Sequence, residues 1–358
     1  MAAMELTATF WRGRRVLLTG HTGFKGGWLA LWLLKLGAQV RGFALPAPDG
    51  PSLWQVVRLE QELAGGIGDI RDAQALAAAM NEFRPQLILH LAAQPLVRRS
   101  YALPADTYAT NVLGTVNLLE AARHCDTVQA IVVVTSDKCY ENREWLWPYR
   151  ETDALGGHDP YSNSKACAEL VCAAYRASFF AAASTGVATA RAGNVIGGGD
   201  WSPDRLLPDL FRAWESGTSL TLRYPDAQRP WQHVLEPLAG YLQLAAKLLT
   251  ERENFDGAWN FGPAEHAHAS VAQVVDEVAR LWPQAPGWRV EAEPQPHEAR
   301  LLALDSTRAR TQLLWRPLWG LEQALEATVK WQQAWRSGAD MREVTMRQID
   351  DYQERVNE

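Results

Sequence analysis

Thr19-Gly20-His21-Thr22-Gly23-Phe24-Lys25-Gly26 constrains this chain more than any other segment. A short apolar run (16–19) precedes it, and an apolar stretch of helical character (26–37) follows and stops at Gly37. Glycines spaced GxxGxxG between a strand and a helix permit a tight turn and close approach of backbone to a pyrophosphate. The helix N-terminus adds unpaired N–H groups and a partial positive charge. This predicts a dinucleotide site, with Gly20, Thr22, Gly23, Phe24, Lys25 and Gly26 against the cofactor. The second strand (39–43) ends without the acid that would bind a ribose 2′-hydroxyl. NAD is the expected cofactor and NADP stays open. Arg41 is either a 2′-phosphate ligand or a solvated strand residue. Asp69 either meets the adenine or caps the helix starting near Asp72.

The rhythm after the loop fixes the fold class. Helical segments at 72–83, 107–124 and 163–180 alternate with apolar strands at 86–91, 130–135 and 186–191. Uniformly apolar strands separated by helices predict an α/β chain with a Rossmann-type, doubly wound parallel sheet. After Asn194 the rhythm breaks. Gly, Pro and Trp become frequent and long irregular stretches appear (197–208, 224–231, 283–297). Residues 11–193, with returning segments around 232–262, are expected to form the dinucleotide domain. Residues 194–231 and 263–358 are expected to form a smaller mixed α/β substrate lobe.

Bulk properties exclude several classes. A net charge of -6 over 358 residues offers no general field for nucleic acid or an anionic membrane. No leader-like segment or membrane-length apolar run is visible. The 4 cysteines show no CxxC spacing and the histidines do not cluster, so no metal is expected. Reduced thiols in a cytoplasmic enzyme are the reading.

Tyr161 and Lys165 stand four apart on a predicted helix and face the same way. An unperturbed tyrosine is a poor base at neutral pH, and a neighbouring ammonium favours its phenolate. Upstream, the strand at 130–135 runs into Ser136-Asp137-Lys138. Parallel sheets put their chemistry at such carboxyl ends. Ser136 would orient a substrate alcohol toward Tyr161; its alternative, shared with Asp137, is a local cap. The expected catalytic set is Ser136, Asp137, Lys138, Tyr161 and Lys165.

The succession of the glycine loop, His90-Leu91-Ala92-Ala93, Asn111, Ser136 and the Tyr161/Lys165 pair resembles the extended short-chain dehydrogenase/reductases. Longer strings (20–28, 92–98, 136–140, 191–201 and 229–235) resemble the nucleotide-sugar 4,6-dehydratases of that family, in the branch acting on CDP-glucose. The resemblance implies a nucleotide-sugar substrate and a bound nicotinamide cofactor, also touched by Ile70, Leu91, Ala92, Ala93, Tyr161 and Lys165. It implies oxidation at C4, loss of water across C5 and C6, and return of hydride to C6. Asp137 matches the general acid of that reaction. The dTDP-glucose enzymes follow this aspartate with a glutamate base, whereas here Lys138 stands, either as a neutral base or as an ammonium holding the enolate.

Substrate contacts implied by the resemblance are Gln94, Arg98, Asn194, Arg229 and Asn260. Gly197, Gly198 and Gly199 read as a flexible lid or a close approach to the nucleotide. The helices at 107–124 and 163–180 would pair into a homodimer, with a tetramer as the alternative. Competing readings are a GDP-mannose-type dehydratase, an epimerase and a catalytically silent dinucleotide-binding regulator. Asp137 favours dehydration over epimerisation. A silent protein would lack Ser136, Tyr161 or Lys165, and all three are present.

Overall fold

Seven parallel strands form the centre of the chain: β1 (Arg15–Thr19), β2 (Gln39–Ala44), β3 (Ala64–Ile67), β4 (Leu87–His90), β5 (Ala130–Val134), β6 (Gly186–Ala192) and β7 (Gly257–Phe261). The computed structural model describes residues 6–181, 183, 185–264, 268–292 and 301–357. Part of the irregular stretch expected at 283–297 therefore lies outside the described residues. The strands are ordered β7-β6-β5-β4-β1-β2-β3. The order reverses between β1 and β4, which opens a crevice at their carboxyl ends. Every residue of β4, β5 and β6 is buried, as strands covered on both faces require. The doubly wound α/β fold is thus as expected.

Helices α1 (Phe24–Lys35), α2 (Ala73–Phe83), α3 (Gly114–Arg123) and α4 (Pro160–Tyr175) alternate with these strands. Then come α5 (Leu206–Glu215), α6 (Leu235–Phe255), α7 (Val271–Leu281), α8 (Leu321–Arg336) and α9 (Met341–Asn357). Trp28 and Trp32 of α1 share one core with Leu238 and Leu242 of α6. Leu76 and Met80 of α2, Leu118 of α3 and Cys172 of α4 form the core on the opposite face. The helix expected from residue 26 begins at Phe24. The two long helices expected at 107–124 and 163–180 are each interrupted or ended by a π turn, at Ala109–Leu113 and Arg176–Phe180. Such turns recur at functional positions.

The smaller lobe packs α5, α7 and α8 around Phe211, Trp214, Val274, Trp282 and Leu325. Short strands pair beside them, Leu220–Leu222 with Trp288–Val290 and Gln228–Pro230 with His268–Ser270. Helix α9 lies within the span expected for this lobe but packs on α1. Tyr352 meets Trp32 edge to face, and Lys35 pairs with Asp350.

The glycine triple is not a lid. Gly197, Gly198 and Gly199 are all buried. A Cβ on Gly198 would lie 2.0 Å from the Trp331 ring, and one on Gly199, at φ +81, would lie 2.6 Å from Leu53. The Trp28 indole N–H donates to the Gly198 carbonyl at 2.9 Å, which ties the loop to α1. These glycines are needed because bulky rings occupy the space side chains would take. Gly198→Ala should overpack this contact and destabilise the fold by about 1–3 kcal/mol, measured as a lower urea midpoint at unchanged slope.

Candidate active site

A cavity of about 660 Å³ runs from the glycine loop across the ends of β1, β4 and β5 into the smaller lobe. Its floor is built by backbone contact. A Cβ on Gly26 would sit 2.1 Å from the Gly20 carbonyl, and one on Gly20, at φ +76, would sit 2.7 Å from the Ala92 nitrogen. Thr19 secures the neighbouring strand ends. Its Oγ1 accepts from the Leu91 and Ala92 N–H groups at 3.1 Å and lies 2.7 Å from His90 Nδ1. Burial, then the Lys165 charge, pull His90 down to about 3, so its ring is neutral. This narrow cradle, which any side chain would fill, fits a dinucleotide.

All the expected cofactor residues line the cavity: Gly20, Thr22, Gly23, Phe24, Lys25 and Gly26, then Asp69, Ile70, Leu91, Ala92 and Ala93 beyond. Asp72, and not Asp69, caps α2, accepting from the Gln74 and Ala75 N–H groups. Both Asp69 oxygens meet the Arg71 guanidinium, whose hydrogen bonds hold the carboxyl below its usual range. Arg41 pairs with Glu82 at 2.7 Å, so it is the solvated strand residue of the two readings.

Ser136 stands two residues past β5 and caps a short turn, Asp137–Cys139. The Ser136 hydroxyl donates to Asp137 Oδ1 at 3.0 Å and accepts from the Lys138 N–H at 3.2 Å. Asp137 is 2% exposed and its Oδ2 has no hydrogen-bond partner. Burial raises its pKa against the opposing pull of Lys138, Ser136, Arg229 and Lys25. A carboxyl whose pKa is raised by burial in a cavity holds its proton more readily, as a general acid requires.

Tyr161 and Lys165 occupy the first turns of α4. Asp159 caps that helix, accepting from the Ser162 N–H at 2.9 Å and its hydroxyl at 2.5 Å. Asn111, on the first π turn, clamps α4 to the loop after β4. Its Nδ2 donates to Ser164 at 2.8 Å and its Oδ1 accepts from the Gln94 N–H at 2.8 Å. The expected depression of Tyr161 by Lys165 is not the balance that the protein groups strike. Burial pushes the phenol up to about 12, outweighing Ser136 and Arg205. The Lys165 ammonium donates instead to the Val134 carbonyl at 3.2 Å, and burial pulls it down to about 8.

Gln94, Arg98, Asn194 and Arg229 line the lobe side of the cavity. Gln94 shapes its own loop, donating to the Leu96 carbonyl and Thr107 and accepting from the Leu96 N–H. Asn260 is a correction. It is wholly buried at the end of β7 and outside the cavity lining. Its Oδ1 accepts from the Tyr140 hydroxyl at 2.7 Å, and its Nδ2 donates to the carbonyls of Tyr149 and Asp305. Both amide hydrogens are spent within the fold, away from the cavity. Arg205 and Arg223 were not foreseen, yet both line the cavity, paired loosely with Asp200 at 3.5 Å and Asp204 at 3.8 Å. Their only sequence signal is cationic residues in an irregular segment. Lys25 was foreseen only as part of the loop. Its ammonium is buried and drawn down to about 7, first by burial and then by Arg205 and Lys165.

A family model described as GDP-mannose 4,6 dehydratase matches residues 17–328. The CDP-glucose 4,6-dehydratase of Salmonella typhimurium is 51% identical over 348 residues, covering 96% of this chain and 97% of that protein. The dTDP-glucose 4,6-dehydratase of Streptomyces griseus is 30% identical, covering 90% and 95%. Among solved structures, a UDP-glucose-4-epimerase of Stenotrophomonas maltophila with bound NAD and formylated UDP-arabinopyranose superposes with a TM-score of 0.79 at 22% identity, covering 91% of this chain and all of that one. MoeE5 in complex with UDP-glucose and NAD gives 0.75 at 25% identity, with the same coverage. The chain belongs to the nucleotide-sugar 4,6-dehydratase family of extended short-chain dehydrogenase/reductases. Because the glycine cradle admits no Cβ, Gly26→Ala should weaken NAD binding by more than about tenfold, read by calorimetry on protein that keeps its circular dichroism.

Proposed function

We propose that this chain converts CDP-D-glucose to CDP-4-keto-6-deoxy-D-glucose and water, with NAD as a resident cofactor left unchanged by each turnover. The observation that carries the reading is the buried carboxyl of Asp137, set in one cavity with Ser136, Tyr161 and Lys165. An epimerase expels no water and needs no such acid. The choice of CDP-glucose is supported by the relative of that activity at 51% identity. The glycine cradle, Asp69, Ile70, Leu91, Ala92, Ala93 and Lys165 would hold the cofactor. Bound NAD supplies the hydride acceptor at C4, the donor at C6 and, when oxidised, a positive charge favouring the Tyr161 phenolate.

The chain's own residues move the protons. Ser136 orients the C4 hydroxyl, and Tyr161 Oη takes its proton as hydride leaves C4. The resulting ketone acidifies C5, where Lys138 either takes the proton as a neutral base or stays an ammonium that holds the enolate while another group takes the C5 proton. Asp137 gives its proton to the C6 hydroxyl, which departs as water. Hydride then reaches C6 and a proton returns to C5. Arg229, Arg98, Arg205 and Asn194 face the diphosphate, a role guanidinium groups suit.

We also infer a cytoplasmic homodimer. Leu113, Leu170 and Phe179 stay 51%, 58% and 47% exposed on the chain alone, on or beside the helices that would pair. Among the described residues no helix is long and apolar enough to cross a membrane.

The deciding experiment incubates the protein with CDP-glucose, dTDP-glucose, UDP-glucose and GDP-mannose and follows the alkaline 4-keto chromophore. Product from CDP-glucose at the highest kcat/KM is expected, and none from it would overturn the assignment. Asp137→Asn should slow dehydration by about 10²–10⁴-fold while leaving C4 oxidation, so reduced nicotinamide accumulates and is seen by absorbance. The working form of Asp137 is the protonated one, and burial raises its pKa. Dehydration should therefore fall as pH rises through that raised value, whereas oxidation by the Tyr161 phenolate should increase with pH until the Lys165 ammonium is lost.

A further inference from the structure

Beneath the reacting groups lies a buried ion pair that the mechanism above does not use. Tyr161, Lys165 and Glu169 succeed one another at i, i+4 and i+8 along one face of α4. Glu169 and Arg191 are 4% and 3% exposed, and the Arg191 Nη2 donates to Glu169 Oε2 at 2.7 Å. The same oxygen accepts from the Thr189 hydroxyl of β6 at 2.7 Å, while Oε1 accepts from Thr135 at 2.5 Å. Thr135 directly precedes Ser136. Arg191 reaches on through Nη1 to the Tyr140 hydroxyl at 2.8 Å and the Glu151 carbonyl at 3.2 Å.

We propose that Glu169 is a positioning residue that fastens the strand end bearing Ser136, Asp137 and Lys138 to the helix bearing Tyr161 and Lys165, and supplies the counter-charge to the Lys165 ammonium. The proposal rests on the reaction assigned above. Stability alone is a poor reason for such a pair, because well-packed apolar replacements of buried ion pairs are often as stable or more so. Geometry supplies a better reason. One carboxylate joins α4 to both β6 and the residue after β5, so the two halves of the proton-transfer machinery share a single anchor. Its second effect is electrostatic. Burial strips charge from Lys165, and Glu169 is the leading group acting against that loss; Cys172 and Cys139 also pack nearby, but burial raises both thiols and keeps them uncharged. His90 at the end of β4 is neutral, and Lys25 of the glycine loop, itself drawn down by burial, Arg205 and Lys165, loses its charge before Lys165 does.

The two effects separate experimentally. Glu169→Gln keeps the shape and most hydrogen bonds but removes the charge. The alkaline limb of the pH–rate profile for C4 oxidation, which follows loss of the Lys165 ammonium, should move down by roughly one pH unit. Thr135→Val leaves the charge and cuts the strand-end bond; kcat should fall about tenfold, with KM and the alkaline limb unchanged. If the uncompensated Arg191 stops Glu169→Gln from folding, the double variant Glu169→Gln/Arg191→Gln carries the same test. A folded variant lacking Glu169 that keeps the wild-type alkaline limb overturns the proposal, and so does Thr135→Val with wild-type kcat. Wild-type protein inactive on every nucleotide sugar would sink the assigned reaction instead. The lysine NMR titration of substrate-free protein, with Lys165 assigned by Lys165→Met, then decides. A lower midpoint on losing Glu169 supports the counter-charge, and an unmoved one refutes it.

Discussion

Everything in this site depends on how closely α1 approaches the ends of β1 and β4. Gly26 stands against the Gly20 carbonyl and Gly20 against the Ala92 nitrogen, so the helix N-terminus lies over the switch point of the sheet. Partial positive charge at that terminus is a property of the backbone and needs no side chain. Thr19 and His90 then lock the two strand ends in register. With this floor fixed, β5 and α4 carry Ser136 and Tyr161 to the cavity wall. On the far side, Trp28 of α1 holds the Gly198 carbonyl, so the first helix also fixes where the smaller lobe begins. One backbone contact thereby sets the separation between the cofactor cradle and the substrate side.

A second theme is the removal of charge by burial. Asp137 is pushed toward its protonated form, Lys165 and Lys25 toward their neutral forms, and Tyr161 away from phenolate. All four shifts have desolvation as their largest cause. In the proposed reaction two of the groups work charged, the phenolate that takes the first proton and the ammonium beside it. The energy that charges them must therefore come from neighbours. Glu169 is built into the fold for Lys165, while the phenolate draws on charge that arrives with the cofactor. Asp137 needs no such help, because the neutral form favoured by burial is the form that donates a proton. The same dry environment thus favours the acid unaided and makes the base conditional on an occupied cavity.

What could be read from the sequence was what is encoded locally. The glycine loop, the apolar strands and the four-residue spacing of Tyr161 and Lys165 each state their meaning within a few residues, and the structure places them together. Strand β3 was not anticipated because its Ala-Gly-Gly-Ile sequence is poor in β-forming residues; its edge position tolerates this. Asn260 was given to the substrate by resemblance alone, and its partners Tyr140, Tyr149 and Asp305 come from distant segments that no local reading brings together. Glu169 and Arg191 were invisible for the same reason, since their meaning lies in pairing across 22 residues of chain. The glycine triple at 197–199 suggested mobility, whereas its cause is the bulk of Trp331 and Leu53.

The cationic wall of the smaller lobe completes the picture. Arg205 and Arg223 sit 3.5 and 3.8 Å from Asp200 and Asp204, and Arg98 shares Asp204 at 3.6 Å. These separations are too long for good charge-assisted hydrogen bonds, which form below about 3 Å. The partly exposed pairs of Arg98 and Arg223 with Asp204 contribute only about 0–1 kcal/mol, so a diphosphate can displace them at small loss. Until it arrives, the aspartates limit repulsion among the arginines and keep their forks near the cavity. That arrangement reconciles an acidic chain with an anionic substrate. The net charge of the molecule is negative, but the wall of this cavity carries the guanidinium groups of Arg98, Arg205 and Arg223.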